Sequence, residues 1–221
     1  MRAQPWLGVA GAAALAVLNL LNLAAGAYAE YAERHLDQPA GDRTLAASHN
    51  AATLTPWSAR RTALEGWILA ERRRGEESQA AYTTALAAAP ADSILWSEYA
   101  MALARTGLYR ALDVPTERAC ALAPASPAVQ GASAAMALSY WEHGAAPVRA
   151  AWMQSLRYEL NHDRQPFLRS VITHGRALMF CDQLAPALGE DAWCADLRRR
   201  IDDCRSQQPQ PADDILCILS D

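Results

Sequence analysis

The side chains able to do chemistry are few and dispersed. The histidines His35, His49, His143, His162 and His174 are scattered, and no two have the helical spacing of a zinc site. There is no nucleophile elbow and no glycine-rich phosphate loop. All 20 cationic side chains are arginine, which excludes Schiff-base and phosphate-loop lysine chemistry. Glu65 and Glu98 are the one carboxylate pair considered for acid–base work on a glycan, yet nothing in their spacing singles them out. His174–Gly175, in "VITHGRALMFC", reads as a packed or solvated histidine within a helix. The triplets in "ERRRG" (71–75) and "LRRRID" (197–202) fall at helix ends, where cations complement the helix dipole. The expectation is a chain with no catalytic, cofactor or metal site. A net charge of −4 gives no electrostatic case for nucleic acid.

What the residues can do is bind and cross-link. Trp57, Trp67, Trp96, Tyr99, Tyr140, Trp141 and Trp152 concentrate in the middle of the chain. Most must be core, and Trp57, Trp67, Trp96 and Tyr99 are the candidates for anchoring a partner segment in a groove. Cys181 and Cys194 lie symmetrically about Ala187–Leu188, so a helical hairpin there would bring them together as a disulfide. The competing reading is two buried thiols on the stripe Cys194, Leu197, Ile201, Cys204. Cys204–Cys217 is a second pairing, and Cys120 is left as a small core residue.

The elements that carry these residues are helical. Alanine is abundant, the hydrophobic share is 52%, and no segment alternates as a strand would. Pro56, Pro90 and Pro124 are equally spaced, and Ala51, Ala85 and Ala119 hold the fifth place before each. The interval matches the tetratricopeptide repeat, a unit of about 34 residues. In that unit small residues let two antiparallel helices approach, and proline closes the second helix. Gly66 and Ala100 take the small position of helix A. Gly75 and Gly107 mark the turns between helices. The predicted helices cover about 43–53, 57–73, 76–88, 93–105, 113–123, 127–142, 147–161, 166–184 and 191–206. The fold expected is all-α: an N-terminal transmembrane helix, a TPR-like array of antiparallel helix pairs and a C-terminal helical hairpin. The divisions are 1–35 anchor and extension, 42–161 repeats, 162–206 hairpin and 207–221 tail.

The anchor is "WLGVAGAAALAVLNLLNLAAGA" (6–27), uncharged and long enough to cross a bilayer. Arg2 precedes it, and Glu30, Glu33 and Asp37 follow, which places the N-terminus in the cytoplasm and the body outside. The rival is a signal peptide cleaved after "AYA" (27–29). The length of the run and its continuation into "YAEYAERHL" favour the anchor. Asn19 and Asn22 either mark a face that meets another membrane helix or lie at the interfacial end.

Three stretches, "QAAYTTALAAAPADSILWSEYAMALARTG", "ACALAPASPAVQGASAAMALSYW" and "RYELNHDRQPFLRSVITHGRALMFC", give residues 79–181 a likeness to known proteins. The order of a Trp-containing helix A, a proline turn into "AVQ", a helix ending in Trp and an "HGR…C" helix resembles the VpsP-like polysaccharide-biosynthesis accessory proteins. Thr62 and Gln130 stand where two units of such an array would carry Trp. The resemblance implies a non-catalytic scaffold at the bacterial inner membrane, its helical domain periplasmic. It would bind integral membrane components of glycan assembly. The other expectation is a structural subunit that meets its partners mainly through the transmembrane helix.

Overall fold

A computed structural model describes residues 5–35 and 42–207, and these are helices and turns with no strand among the described residues. The helices are α1 Pro5–Arg34, α2 Asp42–Leu54, α3 Ala59–Glu71, α4 Gly75–Ala88, α5 Ser93–Arg105, α6 Asp113–Leu122, α7 Pro127–Tyr140, α8 Ala146–Thr173, α9 Ala177–Met179, α10 Ala185–Leu188 and α11 Asp191–Gln207. The chain forms two compact units that meet in sequence at Ala123 and Pro124.

In the first unit consecutive helices pack on one another: α1 on α2, α2 on α3, α3 on α4, α4 on α5 and α5 on α6. Helix α3 also lies along α5. Small residues set the close approaches. Ala32, Gly66 and Ala100 are successive members of one repeat position, and all are buried. Ala51, Ala85 and Ala119 form a second such series, at 0, 1 and 3% exposure. Ser78 on α4 donates to the Gly66 carbonyl at 2.7 Å, pinning the α3–α4 crossing. Asp92 caps α5 by accepting from the Leu95 amide at 3.0 Å.

The turn after α3 differs from the expectation. The left-handed residue is Arg73, φ 61°, and not Gly75, which opens α4. Arg73 stands one period before Gly107, φ 78°, and both close a helix the same way. The Arg74 amide reaches the Leu69 carbonyl, and the Leu108 amide reaches Leu103. Gly75 serves a different need: a Cβ there would sit 3.1 Å from Thr106 and Leu108.

Helix α1 has two parts. The stretch Ala13–Arg34 is long and apolar enough to cross a membrane by length and composition. Leu15, Val17, Leu18 and Leu20 are exposed, whereas Ala25 and Ala32 are fully buried. Ala32 joins Ala47 of α2 and Ile68 of α3 in one cluster. The end of the apolar run 6–27 therefore packs one face on the body, at Ala25, while Leu23 stays exposed.

The second unit is built on α7 against α8. Trp152 is fully buried and tilted against Trp141, 6.3 Å between rings. The expected break between helices 147–161 and 166–184 is present: Asp163 (φ −137°, ψ 47°) is not helical and divides α8 in two. Pro166 lies in the following turn, where it cannot complete the helical ladder. The second stretch ends at Thr173, before the left-handed Gly175, and not at 184 as expected. Between α9 and α10 the segment Phe180–Leu184 is π-helical. Phe180 meets Phe167 and Trp193 edge-on. Arg164 grips the 8%-exposed Glu190 with two bonds, 3.0 and 2.6 Å, just before α11.

Candidate functional site: a groove on α1, α3 and α5

One face of the first unit carries a groove of about 590 Å³ lined by Glu33, Arg60, Ala63, Leu64, Trp67, Glu98 and Met101. Helical spacing puts these residues there. Arg60, Ala63, Leu64 and Trp67 follow the i, i+3, i+4, i+7 stripe of α3, and Glu98 and Met101 follow i, i+3 on α5. Glu33 comes from the packed end of α1. The floor recurs with the period of the chain: Glu33, Trp67 and Met101 share one repeat position, and Leu64 and Glu98 share another.

The groove combines apolar Ala63, Leu64, Trp67 and Met101 with charged Glu33, Arg60 and Glu98. Arg60 donates to Glu98 at 2.7 Å. Burial holds the Glu98 carboxyl above the usual carboxylate range, and the Arg60 charge and hydrogen bond offset part of that rise. The Arg105 guanidinium lies 5.3 Å over the Trp67 ring and pairs with Glu71, so the indole is held from one side by a cation. This arrangement can receive an apolar side chain against Leu64, Trp67 and Met101 with a polar or basic neighbour beside Glu33 and Glu98.

The aromatic candidates have separate fates. Trp67 lines the groove. Trp96 is half-buried, with its indole N–H donating to the Pro90 carbonyl at 2.8 Å. Tyr99 belongs to the core, 8% exposed and stacked on the fully buried Tyr82 at 5.4 Å. Trp57 is 55% exposed in the α2–α3 turn and does not line the groove. Asn19 lies on the exposed part of α1. Asn22 is held by Arg61, which donates to its side-chain oxygen at 3.0 Å and its backbone carbonyl at 3.3 Å.

Glu65 and Glu98 do not converge: Glu65 pairs with His49 at 2.8 Å, and Glu98 with Arg60. The second carboxylate of the groove is Glu33, which sequence reasoning passed over. Stepping one period back from Trp67 finds it. Among the described residues no cluster of three or more His, Cys, Asp or Glu is arranged to hold a metal. Cys181 and Cys194 are disulfide-bonded, with Cα atoms 5.5 Å apart. Cys120 is half-buried in α6. The Cys204–Cys217 pairing and the tail 208–221 lie outside the described residues.

A second cavity, about 210 Å³, opens in the second unit at the α8 kink, beside Glu159, Asp163, Phe167 and His174. Burial, reinforced by the Asp163 charge, raises the Glu159 carboxyl above its ordinary range. His174 is exposed at its edge, with Nδ1 2.7 Å from the Ser170 carbonyl oxygen.

No family model, curated protein or solved structure matches the chain.

Proposed function

We propose that the protein is a non-catalytic, membrane-anchored adaptor whose TPR-like helical body binds a protein segment in the α1–α3–α5 groove. The observation that carries this is the groove itself. Its lining repeats with the proline period, as expected when like faces of stacked hairpins line one concave surface. The TPR-like reading draws further support from the sequential packing of α1 to α6 and the buried small residues at that period. An anchor is supported by the exposed leucines of α1. The Cys181–Cys194 bond favours an oxidising compartment for the body; its placement in the periplasm of a bacterium, tethered to the inner membrane, rests on the charges flanking α1 and on the resemblance. The setting in exopolysaccharide or surface-glycan assembly rests on the resemblance of residues 79–181 to the VpsP-like accessory proteins. Integral membrane components of that assembly are the partners expected.

A second reading, a structural subunit that meets its neighbours through α1, is favoured by Asn19, which is exposed among leucines on α1. Two full-length variants separate the readings in a mild-detergent pull-down. Trp67→Ala, combined with Met101→Glu, abolishes recovery of the partner if the groove binds it. Replacing residues 5–20 by a polyleucine helix leaves recovery intact. The reverse pattern would establish the membrane helix as the contact and reject the groove.

A further inference from the structure

We infer that the end of the first unit formed by the α2–α3 and α4–α5 turns rests on lipid headgroups, with Trp57 as its anchor, and that the membrane span of α1 stops near Leu23. The inference rests on the reading of α1 as a membrane helix and fixes how deep that helix lies.

Arg61 sets the boundary. It bonds the side chain and carbonyl of Asn22 and donates to the Thr55 hydroxyl at 2.9 Å. A guanidinium is expelled from the centre of a bilayer but tolerated at headgroup depth. Beyond Asn22, Leu23 is still 71% exposed, and Ala25 is the first fully buried residue. Hydrocarbon therefore covers α1 only up to about Leu23. Helix from 5 to 23 is about 28 Å long, close to the roughly 30 Å apolar core of a bilayer. Leu15, Val17, Leu18, Leu20 and Leu23 all stand exposed in that stretch.

The turns at this level are suited to a lipid surface. "TPWS" (55–58) carries no charge. "APAD" (89–92) carries only Asp92, which is engaged as the α5 cap. The opposite end of the same helices holds Arg72, Arg73, Arg74, Glu76, Glu77 and Arg110. The Arg73 bond to the Arg105 carbonyl and the contact of Gly75 with Thr106 gather those charged turns together, so the two turns with little charge share the other end. The cations near that end are occupied, Arg60 by Glu98 and Arg61 by Asn22. Trp57 is the exposed aromatic there, 55% accessible. An indole with an apolar ring and one N–H donor partitions to the headgroup layer. The occupant is lipid because this end is continuous with the exposed apolar part of α1.

Spin labels test the depth. The full chain, with Cys120→Ala, Cys204→Ala and Cys217→Ala and its disulfide kept, is labelled at one of three introduced cysteines: Leu18→Cys, Trp57→Cys or Tyr109→Cys. It is reconstituted in phosphatidylcholine vesicles. Collisions with dissolved oxygen, relative to a water-soluble nickel reagent, should be severalfold higher at 18 than at 109, with 57 between them at headgroup depth. A label at 57 as aqueous as 109, with 18 in hydrocarbon, overturns the inference and leaves the anchor standing. Labels at 18 and 57 both aqueous overturn the anchor itself.

Discussion

Gly66 shows how little room the first unit leaves at its helix crossings. A Cβ there would lie 2.8 Å from Cδ2 and 3.0 Å from Cε2 of Tyr82. Tyr82 cannot yield, because it is fully buried and stacked on Tyr99. Glycine to alanine within a helix ordinarily gains about 0.5–1 kcal/mol. Here overpacking outweighs that gain, and Gly66→Ala is expected to cost about 1–3 kcal/mol in urea unfolding. Glu98 makes a second residue-scale prediction. Its carboxyl titrates above its ordinary 4.5 in the folded state, so the folded protein holds that proton more tightly than the unfolded chain does. Its contribution to stability is greatest in acid. It falls as pH rises from 4.5 through the raised value and stays low at neutral pH. In Glu98→Gln this fall disappears, so stability followed across pH 4–7 should be flatter than in the wild type. The small positions were legible because they recur at a fixed interval. The roles of the aromatics were not, since periodicity cannot say whether Tyr99 faces Tyr82 or solvent. Arg73 adopts a left-handed turn that composition assigns to glycine, because the helix-closing bond from Arg74 to Leu69 holds it there.

Among the elements, α1 is one helix over the anchor and its extension, as read from the sequence. What that reading did not include is that one face of its second half packs on the body, burying Ala25 and Ala32. The signal was present, since Ala32 lies one period before Gly66. The uninterrupted apolar run masked it, because lipid and a protein core select the same residues. Helix α8 gives the converse case. The break expected before Pro166 is present as the non-helical Asp163, but the second stretch ends at Thr173, before Gly175, and not at 184. The C-terminal hairpin turns at the left-handed Gly189, close to the midpoint between the two bonded cysteines. A cross-link spanning 13 residues is worth about 2–4 kcal/mol. Reduction, or Cys181→Ala with Cys194→Ala, should lower amide exchange protection over residues 177–203 while α3 to α5 keep theirs. Equal loss in both units would contradict a local role.

At the scale of the molecule, the all-helical class and the apolar first helix were legible from composition. The groove was only partly legible. Trp67 was named, but its neighbours Glu33, Arg60 and Met101 come from three helices whose faces converge only after folding. The function proposed rests on one surface, the groove of the first unit. The central claim is that a protein segment occupies the α1–α3–α5 groove of a tethered body. The most direct measurement is photo-cross-linking in native membranes, with the photoreactive residue at Met101 inside the groove or at the exposed Leu122 on α6. A discrete protein adduct is predicted from position 101 that Trp67→Ala removes, and none from position 122. Adducts from 122 but not 101, or a 101 adduct unchanged by Trp67→Ala, would contradict it.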